Sequence, residues 1–520
     1  MPYLEIGKER YDSYPPTDEK VDLRLNNYKR TRKLFKGQHG DVYERVQQWL
    51  DKEVDKGITY IVCNFPGLIS KVSADMLFGE QTKYVIGGDP SSSEQEQLNN
   101  ITQNNNLQSL NYEMALSGSW RGDVVYKIRY GNAAGWATDK PGAIIEAVSP
   151  SCFYPILSED NIRDVQGAVF AWIKRGHHDM PGGDERTYLR VERQLPGRIE
   201  NELWQLAEDG RTLDQQVKLN IFPEYKNLEE EQETGFPGLL FKHVPNWRLE
   251  DEFWGISDYF DLESIFDELN NRLSRTSRVL DKHESPKLIL PPGIMKYDEK
   301  TERWYIKKED LDAIEVDRRD ESTGSDLPRY MTWDAQLSAG FTQIDKLLEI
   351  AFLVSETSPD AFGLGKGGAA ESGRALKFRL IRLLAKINRK KLYFDEALKY
   401  IIEASLWLEK EHGDGVTDPE ESDLRIEWAD GIPDDPMEQA QIEAIRTGGK
   451  QTSSRRSSVR RLDDLDGEEL ETELQAIEED EAGEVGSAEG GAIDRERALA
   501  LFEGAAPAEG EEDLDQITEI

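Results

Sequence analysis

A glycine-rich run that leads directly into a cationic segment is the part of this sequence whose residue types could do chemistry. The run covers residues 363–368, and the segment from Ser372 to Phe394 contains eight Lys or Arg and no Asp or Glu. Glycine allows backbone amides to approach a ligand closely, and clustered cations attract phosphate groups. The first chemistry to consider is therefore the binding of a nucleotide or of a polyanion.

Nucleotide binding needs a more specific pattern than the glycine run provides. A phosphate-binding loop requires GxxxxGK followed by Ser or Thr, whereas Lys366 precedes its glycine pair and no Ser or Thr follows. A dinucleotide-binding loop requires a preceding strand, and the sequence before residue 363 has helical periodicity. We therefore predict a flexible connection between two helices and keep a nucleotide-binding enzyme as the weakest alternative.

The rest of the chain offers no other constellation typical of catalysis. There is no GxSxG or SxxK motif, and the six His have no ligand spacing, with His177 and His178 in a turn-rich stretch that we predict to be surface. Cys63 and Cys152 form no CxxC pair, which is typical of a reducing compartment. The sequence predicts no catalytic residue, no metal site and no cofactor, so we do not expect an enzyme.

The charge distribution makes the cationic segment unusual. The formal net charge is −38, of which Leu462–Ile520 carries −20. Concentrated positive charge is costly unless negative groups lie nearby, so the cations face either acidic groups of the protein itself or a polyanion. Both interpretations stay open for most of them, and we expect those nearest the run, Lys366 and Arg374, to face a polyanion. Helical spacing places the apolar residues of this segment on one face and the cations largely on the other, exposed faces.

Composition limits the architecture and the location. A length of 520 residues predicts roughly three domains. The mean hydropathy is −0.67, no window reaches about 18 uninterrupted apolar residues, and the start is not a signal peptide. We expect a soluble protein that is made in the cytoplasm and has no membrane partner. The composition beyond Glu478 is typical of a disordered tail.

Periodicity predicts long helices around a β-rich region. The helical segments are predicted at 58–78, 111–119, 258–283, 334–358, 371–410 and 438–446, with strands between 123 and 222 and near 424–428. The stretch 89–106 is predicted as a loop or a weak helix start. The two helices at 258–283 and 334–358 flank a small insertion with strand signals.

Several motifs, taken in order, give the chain a family resemblance. They are Ser358-Pro359-Asp360-Ala361-Phe362-Gly363 with Ser372-Gly373-Arg374-Ala375-Leu376-Lys377, Phe253-Trp254-Gly255-Ile256-Ser257-Asp258, Asn270-Asn271-Arg272-Leu273-Ser274, Ile426-Glu427-Trp428 with Ile432-Pro433-Asp434, and the Ser-Arg-rich turn at 453–461. In this order and spacing the sequence resembles the portal protein of tailed bacteriophages over roughly residues 20–480.

The resemblance implies an α+β portal-type fold with long stem helices, a β-rich wing, a small α/β clip and a helical crown. It implies a ring of about twelve copies at one capsid vertex, through which double-stranded DNA passes during packaging and ejection. By position the parts are an N-terminal region and wing (1–256), a stem helix (257–284), a clip (285–333), a second stem helix (334–357), a tunnel loop (358–371), a long wing helix (372–422), a crown (423–480) and an acidic disordered tail (481–520).

The resemblance also implies partners and a site. The partners are the terminase large subunit, the head-completion adaptor, and the major capsid and scaffolding proteins, in a virion assembled in the host cytoplasm. The residues expected at the DNA channel are Phe362, Gly363, Leu364, Gly365, Lys366, Gly367, Gly368 and Arg374. Another head–tail connector or adaptor ring is the main alternative.

Overall fold

A computed structural model of the chain shows an α+β protein, as the sequence predicts. It describes residues 2–44, 46, 60–87, 91–133, 140–177, 185–284, 287–289, 296–298, 303–305, 329–331, 337–365, 373–418, 423–429, 431, 436–448, 451–463, 465, 467 and 469–479. Two compact units divide the chain. The first comprises 1–88 with 93–432, and the second comprises 89–92 with 433–520.

The helices of the first unit are α1 (Glu19–Phe35), α2 (Phe65–Phe78), α3 (Ser93–Asn104), α4 (Leu107–Arg121), α5 (Glu263–Glu284), α6 (Leu337–Val354), α7 (Gly373–Arg379) and α8 (Ile381–His412). The second unit contains α9 (Pro436–Thr447) and α10 (Arg455–Asp463), and residues 469–479 are also helical.

The strands that the structure describes lie in the first unit. They are β1 (Leu4–Ile6), β2 (Glu9–Tyr11), β3 (Lys83–Ile86), β4 (Asp123–Gly131), β5 (Gly142–Val148), β6 (Phe153–Leu157), β7 (Val165–His177), β8 (Glu185–Leu195), β9 (Arg198–Leu206), β10 (Leu213–Val217), β11 (Glu231–Glu233), β12 (Phe241–Pro245), β13 (Lys287–Ile289), β14 (Lys296–Asp298), β15 (Arg303–Tyr305), β16 (Arg329–Met331) and β17 (Leu424–Glu427).

Two antiparallel sheets form the β-rich region. The larger has the strand order β10-β9-β8-β7-β6, with β11 also paired to β9, and the smaller has the order β12-β4-β5. In the larger sheet Ala171 lies opposite Val191, and both are fully buried. The two faces of β7 pack into different hydrophobic clusters, with Val169 and Ala171 in one and Ala168 and Phe170 in the other. A shift by one residue would move each set to the opposite face, so this packing fixes the register.

The long helix α8 lies in the largest hydrophobic cluster of the first unit. Leu398, Ile401 and Ile402 are fully buried there together with side chains of β4 and α4. Each such side chain contributes about 1.5–3 kcal/mol on burial. Strand β17 pairs with β3 in the first unit. Residue 423, where the predicted crown starts, therefore lies in the first unit, ten residues before the second unit resumes at residue 433.

Several predicted elements differ from those observed. The helix predicted at 58–78 begins at Phe65, because Asn64 caps it by accepting the Gly67 N–H at 3.2 Å. The weak start at 89–106 is the helix α3, and the long helix predicted at 371–410 is interrupted at Leu380. The strand predicted at 217–222 is wrong beyond Val217, where a 3₁₀ turn at Leu219–Ile221 follows.

The helices predicted at 258–283 and 334–358 are confirmed as α5 and α6, and the two contact each other; their assignment to a stem stays a prediction. The stem helix expected from 257 begins only at Glu263, because residues before it form turns. Of the predicted clip, the structure describes the short strands β13 to β16, and the remaining clip residues lie outside the described part of the chain.

Candidate functional site

A compact, capped turn precedes the glycine run. The Ser358 hydroxyl accepts the Asp360 N–H at 3.3 Å and donates to the Asp360 carboxylate at 2.8 Å. Pro359 opens the 3₁₀ turn Pro359–Phe362, where its missing N–H is not needed. Gly363 ends the turn with φ = 69°, a left-handed conformation that favours glycine. A local hydrogen bond or backbone conformation therefore explains why Ser, Pro, Asp and Gly stand at these positions.

Aromatic packing holds the end of the turn against the protein. The ring of Phe362 lies 6.0 Å from that of Phe65 and 5.6 Å from that of Phe352. Leu364, two residues further, is 66% exposed. A Cβ on Gly365 would lie 1.9 Å from Asp360 Oδ1, so a larger residue here would require the Asp360 side chain to move. The described part of the loop therefore begins anchored and becomes exposed at Leu364.

The other predicted site residues are not all described. Lys366, Gly367 and Gly368 lie outside the described residues, and Arg374 lies in α7, with its side chain outside the description. The placement of these residues at a DNA channel therefore stays a prediction.

The end of α6 places a carboxylate beside the basic segment. The Thr357 N–H donates to Phe352 O at 3.0 Å and the Glu356 N–H donates to Leu353 O at 3.2 Å, the two bonds of a Schellman helix ending. Glu356 takes the left-handed position of this motif with φ = 54°, where glycine is usual. Its carboxylate pairs with the guanidinium groups of Arg382 and Arg389.

Most described cations of the basic segment are bound inside the first unit. Arg379 pairs with Asp360 at 3.2 Å, and Lys391 donates to Ala429 O at 2.6 Å. Lys386 and Lys390 are only 7% and 3% exposed, although the helical pattern predicted the cations largely on exposed faces. For these cations, pairing with acidic or carbonyl groups of the protein is what the structure shows.

Asp258 is the buried carboxylate that receives both lysines. Lys390 Nζ lies 2.6 Å from Asp258 Oδ2 and Lys386 Nζ lies 3.3 Å from Oδ1. Ser119 Oγ donates to Oδ2 at 2.6 Å and Asn246 Nδ2 donates to Oδ1 at 3.0 Å. The carboxylate therefore joins helices α4 and α8 to the segment that leads into the stem helix α5.

One carboxylate shared by two ammonium groups shifts the titration of this cluster. Burial alone would raise the pKa of Asp258, but Lys386 and Lys390 hold it well below its ordinary value of 3.8. Burial lowers the pKa of Lys390 from 10.5 to about 8, with repulsion from Lys386 acting in the same direction and Asp258 opposing it. The cluster therefore carries one positive charge in excess.

Residues around Asp258 explain the motif at 253–258. Gly255 is required because a Cβ there would lie 2.1 Å from Gly122 O. Ser257 Oγ donates to Trp120 O at 2.9 Å and accepts the Tyr259 N–H at 3.1 Å. These bonds hold the backbone so that Asp258 points into the protein.

Helix α5 is also held by buried polar contacts that the sequence analysis did not predict. Asn270 is fully buried; its Nδ2 donates to His39 Nδ1 at 2.7 Å, and its Oδ1 accepts the Cys63 N–H at 2.8 Å. Ser274 Oγ accepts the Ile61 N–H at 2.9 Å. The signal was present in the motif at 270–274, where Asn and Ser four residues apart share one helix face. Burial lowers the pKa of His39, which keeps it neutral.

Among the described residues there is no group of three or more His, Cys, Asp or Glu that could hold a metal ion. No helix in the described part of the chain is long and apolar enough to cross a membrane.

Fold and site together define an α+β protein in which a buried cluster of Asp258, Lys386 and Lys390 joins helices α4 and α8 to the segment that leads into helix α5. The family model described as "Phage portal protein, SPP1 Gp6-like" matches residues 17–486. The chain belongs to this family of phage portal proteins, and its role is that of a portal at the head–tail connection of the virion. The predicted family and fold class are confirmed, and the family is structural rather than enzymatic.

Among solved structures, the chain is similar to chains of gene transfer agent (GTA) particles. They are the neck of a native particle computed with C12 symmetry (12% identity, TM-score 0.41), the virion of a native particle (11%, 0.39) and the neck of an empty particle computed with C6 symmetry (11%, 0.40). Each alignment covers 76% of this chain and 89% of that chain. No curated protein sequence matches this chain significantly.

Proposed function

We propose that about twelve copies of this chain close into a ring at one capsid vertex, and that double-stranded DNA passes through its centre with residues 358–371 at the channel wall. The observation that carries the proposal is the anchored turn at 358–363, which ends in a left-handed glycine and an exposed Leu364 before the glycine run. An anchored base with a glycine-rich continuation is suited to a loop that shifts as the duplex slides.

The pairing of the basic segment supports this low-friction role. Each phosphate contact adds salt-dependent affinity for DNA, and many such contacts would stall movement. Arg379, Arg382 and Arg389 are paired with carboxylates of the same protomer, which reduces the positive charge available to phosphate. Lys366 and Arg374 are the cations that we propose meet the DNA.

The remaining parts follow the family anatomy. We propose the wing at 1–256 and 372–422, the stem at 257–284 and 334–357, the clip at 285–333, the crown at 423–480 and a tail at 481–520. The clip binds the terminase large subunit during packaging and the head-completion adaptor afterwards, and the ring also contacts the major capsid and scaffolding proteins. The portal itself hydrolyses no nucleotide, and calorimetric titration with ATP should show no binding.

Electron microscopy of the purified protein tests the ring. We expect particles of about a dozen subunits with an axial hole, and a uniform population of monomers at high concentration would contradict the proposal.

Charge reversal tests the channel assignment separately. Lys366→Glu and Arg374→Glu should leave ring assembly intact and reduce the DNA content of particles. Lys226→Glu, at an exposed position of the first unit, is the charge-matched control and should fill normally. Full heads in the Lys366 and Arg374 variants would refute the assignment.

A further inference from the structure

Two adjoining clefts of the first unit lie along helix α8 and share residues. The larger, of about 530 Å³, is lined by Arg248, Phe260, Leu392 and Tyr393 among others. The smaller, of about 280 Å³, is lined by Arg163, Lys242, Arg248 and Tyr393 among others. We refer to these two clefts together as the basic groove.

The basic groove contains both paired and unpaired charges. In the larger cleft the cations of the basic segment are paired, Lys386 and Lys390 with Asp258 and Arg389 with Glu356. Lys242 is neutralised by Glu396 at 2.7 Å.

Within the described part of the chain, neither Arg163 nor Arg248 has an ion-pair partner, and the Nε of Arg248 is buried without a hydrogen-bond partner. Burial lowers the pKa of Arg248, and repulsion from Arg163 acts in the same direction, while Glu396 opposes both. Glu396 lines the smaller cleft and Asp261 the larger one, but neither of these described residues forms an ion pair with Arg163 or Arg248.

Exposed apolar side chains lie in the same groove. Phe260 is 67% exposed and Leu392 is 71% exposed, and both line the larger cleft. Large apolar side chains beside a concave surface are typical of protein-binding sites. Two unpaired guanidinium groups beside exposed apolar side chains could bind a protein segment with a carboxylate next to an apolar residue. DNA is the less favoured ligand, because DNA-binding surfaces make many more phosphate contacts.

We propose that the basic groove receives an acidic segment of a second copy of this chain and forms one half of the contact between neighbours in the ring, an inference that rests on the proposed function. Charge complementarity favours this occupant, because a chain with 102 Asp or Glu against 64 Lys or Arg has carboxylates to offer to the groove of its neighbour. In a ring the contact is heterologous, so one defective groove is repeated at every junction.

The test is the assembly of full-length variants. The double variant Arg163→Glu/Arg248→Glu should reduce the ring fraction at least tenfold at fixed protein concentration, measured by mass photometry. The milder Arg248→Gln and Leu392→Ser should give intermediate losses, and Lys226→Glu should assemble as the wild type does. Because Arg163 and Arg248 have no partner within the described protomer, the thermal unfolding midpoint of the unassembled variants should stay that of the wild type.

The outcomes separate the two proposals. Failure of the wild type to form rings would overturn the proposed function and this inference with it. Wild-type rings together with equally abundant rings of the double variant would overturn this inference alone. Rings of the double variant that form normally but fail to enter capsids, or package less DNA, would assign the groove to another protein or to DNA and would equally overturn the second-copy contact.

Discussion

Asp258→Asn gives the sharpest test of how this fold is held together. The substitution preserves the shape of the side chain and its ability to accept a hydrogen bond from Ser119. It removes the one negative charge shared by Lys386 and Lys390, whose ammonium groups lie 3.3 Å and 2.6 Å from it. Two buried cations would then remain without a counter-ion.

The magnitude follows from burial. The Asp258 side chain is 1% exposed, and removing one partner of a buried ion pair costs about 3–5 kcal/mol of unfolding free energy. Lys390→Met behaves differently, because it removes the excess positive charge while Lys386 still pairs with Asp258. It loses a charge-assisted hydrogen bond to Ser73, worth about 1.5–3 kcal/mol. We therefore expect Asp258→Asn to be the more destabilising by about 1–2 kcal/mol.

Urea unfolding of the unassembled protein, followed by tryptophan fluorescence, measures the difference. Asp251→Asn, at an exposed carboxylate, is the matched control and should change stability by less than about 0.5 kcal/mol. The double variant Asp258→Asn/Lys390→Met should be less destabilised than the sum of the single changes, since the residues share one cluster. Equal destabilisation by Asp258→Asn and Lys390→Met would refute the assignment of Asp258 as the shared counter-ion.

Three further predictions concern the same region. The pKa of Lys390 is about 8 in the folded protein against 10.5 in the unfolded chain, so the unfolded chain binds more protons between these pH values. The free energy of unfolding should therefore rise by up to about 3 kcal/mol from pH 8 to 10.5. Denaturant titrations at both pH values should show this rise in the wild type and not in Lys390→Met. Glu356→Ala should be about 1 kcal/mol less stable than Glu356→Gly in the same assay. Both variants lose the ion pairs, but only glycine accepts φ = 54° without strain. Equal stability of the two variants would contradict the left-handed helix ending. Phe362→Ala should lower the unfolding free energy by about 1–3 kcal/mol through lost aromatic packing, while Leu364→Ala should leave it within about 0.5 kcal/mol, and a reversed order would contradict the anchoring of the turn.

Local features of the fold follow from the sequence because their bonds are local. The turn at 358–363 is closed by Ser358, Pro359 and Gly363 within six residues, so its residue types alone indicate a turn. The spacing of apolar residues likewise predicts helices α5 and α6 and most strands of the β-rich region. Helix limits were less predictable. The cap by Asn64 and the break at Leu380 depend on single residues that a periodic pattern does not register.

The candidate site was only partly predictable for a related reason. The sequence indicated that the basic segment needs negative groups nearby, yet it left open whether these belong to the protein. Nothing in the local pattern of α8 distinguishes Lys386 and Lys390, which are buried, from Arg382 and Arg389, which are largely exposed. The expectation that the cations lie on exposed faces is therefore wrong for the two lysines.

The sequence by itself determined the α+β class, the portal family, the order of the long helices and the position of the glycine-rich connection. Only the tertiary structure decided which charges meet: Lys390 is 132 residues from Asp258, and Asn270 is 231 residues from His39. Hydrogen bonds within a turn or helix are fixed by neighbouring residues, whereas an ion pair between distant residues exists only once packing has brought their elements together. Burial then sets its strength, because removing water increases both the attraction between the charges and the cost of leaving either one alone.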